Sequence, residues 1–207
     1  MSVSRAIADV IAPADAPGIE NALKARGLAP ELAHHLQLWF LAVMEALPQC
    51  EMARQALDLP EVDEALAKTA RDKGVKVIGL ETVEEQVDVI AAMKPSLSAT
   101  VLNATVKNPN LDDDVYVTML KLYSESRPAE ILAIVDVMQG LTDAERAAER
   151  EFTDALLVNR NEVMAERAAP LLRDGGAFIA VGALHLPGKD GLIERLRAAG
   201  YTVTKVW

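Results

Sequence analysis

Residues Ala177–Trp207 read AFIAVGALHLPGKDGLIERLRAAGYTVTKVW, and their spacing decides the expected fold. Ala177–Gly182 is an apolar run of strand length. From Gly191 to Ala199 the apolar residues Leu192, Ile193 and Leu196 recur at helical spacing, with Asp190 placed to cap the start and Gly200 the end. Tyr201–Trp207 alternates β-branched or aromatic residues with polar ones, as a half-buried strand does. Two strands joined by a helix of that length run parallel with a right-handed crossover. Ligands of open parallel sheets collect beyond the carboxyl ends of the strands. His185 falls there, in a loop bracketed by Gly182 and Gly188.

A second strand–turn–helix unit lies upstream. Gly74–Gly79 (GVKVIG) is a short β-branched run, and Thr82 with Glu85 forms a T-x-x-E capping box that opens a helix reaching about Met93. Glu81 sits where the strand has stopped and the helix has not begun. With parallel strands, Glu81 and His185 share one edge of the sheet.

The remaining chain reads as helices. Short ones are expected over Val3–Ile11 and Pro17–Arg26, a longer one over Pro30–Ala46, and a broken one over Glu51–Asp72, interrupted at Leu59–Pro60. His34 and His35 lie on the third; adjacent helical residues point about 100° apart, so they do not jointly face one metal. Residues 95–140 hold two or three more helices. The run Asp112–Asp114 is helix-opening charge and lacks the alternating ligands and turn glycine of a calcium loop. A second capping box, Thr142–Glu145, starts the longest helix, running toward Pro170 or Arg173. Its middle carries Asn159–Arg160–Asn161 between Leu156, Leu157, Val163 and Met164, and such an arginine reads first as a structural partner for a carboxylate.

The expected fold class is therefore α/β and helix-rich, with a small, mostly parallel sheet, a C-terminal β-α-β unit and a large helical region. One domain accounts for residues 1–207: helices over 1–60, a strand–helix unit over 61–93, helices over 94–173 and the β-α-β unit over 177–207. Three short strands make a thin sheet, and parallel sheets want their faces and neighbours covered. Another chain, or further strands, is expected to supply what is missing.

Composition narrows function. A net charge of −10 argues against nucleic acid or an anionic membrane surface as partner. The single cysteine, Cys50, excludes an internal disulfide and a Cys-rich zinc site. The longest charge-free apolar run, Leu32–Met44, is too short to span a bilayer, and no signal peptide is legible, so the chain as written reads as cytoplasmic.

Three stretches, VDEALAKTARDKGVKVIGLETVEEQ (Val62–Gln86), the pair Arg160–Asn161, and FIAVGALHLPGKDGLIERLRAAGYTVTKV (Phe178–Val206), resemble the TraB/GumN family, which includes the Tiki proteins. The last stretch is the most specific: GAxHLPG, a glycine-ended helix, then GYxV. The resemblance implies a metal-dependent hydrolase, peptidase-like, acting on a peptide or small-molecule substrate. Such members carry two GxxH motifs, and the second maps onto Gly182–His185. It implies His185 as a ligand of a divalent metal ion (Mn, Co or Zn), and Arg160 and Glu81 as site residues, the arginine holding a substrate carboxylate or developing negative charge. Members that resemble it are often exported or membrane-associated.

The family's first GxxH precedes the helical region, and nothing in these residues corresponds to it; Glu31 and Leu32 stand three positions before His34 and His35. Hydrolytic metal sites usually need about three protein ligands. Two expectations follow: a hydrolase completed by a homodimer or a complementing chain, or a shortened, non-catalytic member that binds a ligand or protein. For His185 alone, a backbone-bonded loop histidine is the other reading.

Overall fold

The computed structural model describes residues 10–33, 35–107, 111–138 and 142–206, with the side chains of 30, 31, 111, 112 and 135–138 outside that description. Helices α1 (Ala16–Ala25), α2 (Pro30–Ala33), α3 (Leu38–Ala46), α4 (Gln49–Ala56) and α5 (Val62–Asp72) lead into α6 (Val83–Ala91). Then follow α7 (Pro95–Lys107), α8 (Leu111–Ser124), α9 (Pro128–Met138) and α10 (Asp143–Thr153). A π-helical turn (Asp154–Asn159) joins α10 to α11 (Arg160–Asp174), and a 3-10 turn (Ala183–His185) precedes α12 (Leu192–Ala198).

The core forms where the apolar stripes of the first helices meet α7. On α3, Leu38, Leu41, Ala42 and Glu45 are buried, the i, i+3, i+4, i+7 set of one helix face. That face lies along α7, whose Leu97, Ala99 and Leu102 are buried, while Ile19 and Leu23 of α1 close the cluster. Each such side chain contributes roughly 2 kcal/mol by leaving water. One charge is buried with them: Glu45 is 1% exposed. Arg26, at the end of α1, donates from Nε to Glu45 Oε2 (3.0 Å) and from its terminal nitrogens to the Glu45 and Leu47 carbonyls (both 2.6 Å). The guanidinium thereby satisfies the orphan carbonyls that end α3.

Both capping boxes form as expected. Glu85 N–H donates to Thr82 Oγ1 and Thr82 N–H to Glu85 Oε2, and Thr142 and Glu145 repeat the pattern. The long helix runs on from Thr142 through the π turn, passes Pro170, and stops at Gly175, whose φ of 78° leaves helical space. The expected Pro30–Ala46 helix is broken: Gln37 is extended (φ −71°, ψ 143°) between α2 and α3. Residues 3–9 of the expected Val3–Ile11 helix, and His34, lie outside the described residues.

The sheet is a correction. Among the described residues there is no strand, so neither the mostly parallel sheet nor the C-terminal β-α-β unit exists. The segments 75–79, 177–182 and 201–206 are non-helical, and no backbone hydrogen bond joins any of them to another. Val75, Val77, Ile78, Phe178 and Val206 are all exposed. A β-branched run favours a strand only insofar as it finds a neighbouring strand and a face to cover, and these segments find neither.

No single helix among the described residues is long and apolar enough to cross a membrane; α6 and α7 reach that length only together, bent by 81° at their break.

Candidate functional site

Three pieces of chain meet at the step from the π turn into α11. The first is the turn Leu80–Thr82 ahead of α6. Gly79 lets it fold tightly, since a Cβ there would stand 2.9 Å from the Glu81 carbonyl oxygen. The second is the Arg160–Asn161 pair, and the third is the 3-10 turn that ends on His185.

Arg160 holds Glu81 through a fork. Nε donates to Oε1 and Nη2 to Oε2, each at 2.7 Å, while Nη1 reaches the Leu156 carbonyl (3.2 Å). Both side chains are largely buried, with 18% and 5% exposure. Two turns on, Arg167 donates to the Leu80 carbonyl (2.8 Å) and grips Glu85. Residues 160 and 167 share a helix face, so one face of α11 clamps the whole 80–85 stretch. Glu85, bonded by Arg167 and by the Thr82 backbone, has its carboxyl lowered to about 2.

Asn161 points the other way, as the next residue on a helix must. Its Nδ2 donates to the Asp190 carbonyl (3.0 Å), which fixes the amide and leaves Oδ1 facing His185 Nδ1 at 2.7 Å. An amide oxygen only accepts, so Nδ1 carries the ring proton and Nε2 keeps the lone pair, an assignment made from the hydrogen-bond network. The ring is shielded from water, with His185 6% exposed. That burial lowers its pKa below the ordinary histidine value, Arg160 lowers it further, and Glu81 partly offsets both. The outcome is a neutral imidazole in one tautomer. Gly182, the glycine of GALH, has φ −54°, open to any residue, and an added Cβ would make ordinary contact with the ring, 3.4 Å from Cδ2 on the edge that also carries Nε2.

Sequence reasoning placed Glu81 and His185 at one edge of a sheet; without that sheet, both still converge on the Arg160–Asn161 step. The reading of Arg160 as a carboxylate's partner fits the observed pair. Asn161 was not singled out as a site residue, although the adjacency of Arg160 and Asn161 was its signal. Asp190 does not cap α12 with its side chain; Gly191 occupies the cap position, and the Asp190 carbonyl serves Asn161 instead.

The sequence model of the TraB/PrgY/gumN family matches residues 1–205. The chain belongs to that family. The match begins well ahead of the motif-bearing stretches and includes the helical N-terminal region of this TraB/PrgY/gumN member. No curated protein and no solved structure matches it.

A divalent metal needs more donors than these residues give. Nε2 of His185 is one; both Glu81 oxygens are engaged by Arg160; and among the described residues no group of three His, Cys, Asp or Glu side chains stands together. By its own described residues, the chain does not fit a resident metal ion.

Proposed function

We propose that this chain is a hydrolase of peptide-like bonds, its reacting centre organised by His185 and completed by groups from a second copy or a complementing chain. The observation that carries the reading is the imidazole: neutral, held through Nδ1 by a fixed amide, and presenting the Nε2 lone pair. A histidine oriented through its other nitrogen is the arrangement that both general bases and metal ligands use. In this scheme Nε2 takes the proton of a water as its oxygen bonds the carbonyl carbon, and returns that proton to the amine nitrogen as the C–N bond breaks. Arg160, kept rigid by Glu81 and the Leu156 carbonyl, sets positive charge beside the ring, where negative charge develops on a carbonyl substrate. Mn, Co or Zn would find one ligand in Nε2 and need the rest from the completing chain.

The mutual saturation of Glu81 and Arg160 favours a second reading, a non-catalytic domain that binds a ligand or protein. A fluorogenic peptide library decides between them, assayed on the purified protein with each metal and with none. Hydrolysis lost in a folded His185→Ala variant supports the first. Absence of turnover under every condition overturns completion by a second copy and favours the binding domain.

A further inference from the structure

Beyond His185 and Asn161 the hydrogen bonds run on to Arg195, which stands outside the GAxHLPG and GYxV signatures. The Asp190 carbonyl accepts from Asn161 Nδ2 and also from Arg195 Nε, each at 3.0 Å. Arg195 Nη2 lies 3.5 Å from the Val158 carbonyl, inside the π turn that leads into Arg160 and Asn161. Arg195 stands in the last turn of the short α12, and helical side chains lean toward the N-terminus, which carries the guanidinium back over Asp190. It therefore bridges the loop that follows His185 and the helical segment that supplies Asn161.

We infer that Arg195 is a positioning residue for His185: through the Asp190 carbonyl it holds the Asn161 amide, and with it the tautomer of the ring. This inference rests on the proposed role of His185. A side-chain amide has two orientations. With Nδ2 on the Asp190 carbonyl, Oδ1 faces His185 and the proton stays on Nδ1. If the carbonyl drifts, the flipped amide donates to Nδ1 instead, the proton moves to Nε2, and the lone pair needed for catalysis is gone. The tether matters because the loop's own ties, Gly191 N–H to the Gly188 carbonyl and Ile193 N–H to the Leu186 carbonyl, close it on itself and on α12 but not on α11.

The test is histidine ¹⁵N spectroscopy of the whole chain at alkaline pH, where imidazole is neutral, with the His185 signals assigned by His185→Gln. Wild type is expected to show the Nδ1–H tautomer as the dominant form, and Arg195→Met to reduce it to a minority while the fold is retained. An Arg195→Met protein that folds and keeps the wild-type tautomer overturns the inference. Should that variant not fold, the wild-type Arg195 Nε–H resonance decides. Slow exchange with water supports the bond to Asp190, and exchange as fast as that of the exposed Arg71 refutes it. Asn161→Ala separates the two levels. If it removes the dominant tautomer and Arg195→Met does not, only the role of Arg195 fails; if wild type lacks the Nδ1–H form, the reading of His185 fails as well.

Discussion

Arg160 and Glu81, 79 residues apart, lie in register to form two parallel 2.7 Å hydrogen bonds. A planar guanidinium matches a carboxylate in this way and a lysine does not. Removing one partner of a buried pair strands the other charge, so Glu81→Leu or Arg160→Met is expected to cost about 3 kcal/mol. The double variant Glu81→Leu/Arg160→Met leaves no stranded charge and is expected to lose much less than the sum of the singles. Urea denaturation of the four proteins measures the coupling, expected near 2 kcal/mol. Additive losses would show the two side chains to be energetically independent.

Acid should find His185. Its pKa lies below the ordinary value of 6.5, chiefly through burial, so between the folded and unfolded values the unfolded chain binds more protons. Stability therefore rises with pH through that window, levels off above the unfolded value, and is lost as pH falls below it. Comparing wild type with His185→Gln between about pH 7 and pH 5 isolates the contribution. Wild type is expected to weaken more steeply over that range, and parallel curves would mean that the ring takes up its proton as readily folded as unfolded.

Two glycines of the C-terminal stretch answer to different physics. A Cβ at Gly191 would stand 2.4 Å from the Leu186 oxygen and 2.2 Å from the Pro187 oxygen, and backbone cannot swing aside as a side chain does. Gly191→Ala is expected to cost at least about 2 kcal/mol, read from the denaturation midpoint. Gly182→Ala meets only the ring of His185, at 3.4 Å. Because 3.4 Å is ordinary contact, that variant should keep its stability within about 1 kcal/mol. If Gly182→Ala instead unfolds and Gly191→Ala does not, the assignment of the two roles is reversed.

Local chemistry was legible in the amino acids and distant pairing was not. Both capping boxes are read correctly because Thr82 meets Glu85, and Thr142 meets Glu145, within one helical turn, where no third party intervenes. Glu81 and His185 do come near each other, but not for the reason the sequence suggested: no sheet edge gathers them, and the adjacent Arg160 and Asn161 each hold one of the two. What joins them was not legible: nothing near Glu81 announces that its partner is Arg160, and nothing near Asp190 announces that its carbonyl, not its carboxylate, is the group used. The sheet was misread for a related reason. Val75, Val77 and Ile78 bias their own backbone, but a ladder is a property of two segments, and here the second is lacking.

From that lack follows a prediction for the behaviour in solution. Val77, Ile78 and Phe178 are 39%, 46% and 79% exposed on segments whose backbones pair with no other segment among the described residues, the condition under which chains associate edge to edge. The proposed completion of the site by a second copy predicts a dimer, measurable as molar mass by light scattering across a range of concentrations. Ile78→Lys with Phe178→Glu places charge on two of these segments. Because both positions are exposed, the fold should hold to within about 0.5 kcal/mol per site. The dimer dissociation constant is expected to rise by at least about tenfold, a change of roughly 1.4 kcal/mol in association. Hydrolysis should fall in proportion to the dimer lost and recover at high protein concentration. A wild-type chain that stays monomeric at every concentration, yet turns over peptide, would show that the site needs no second chain and would overturn its completion by either a second copy or a complementing chain.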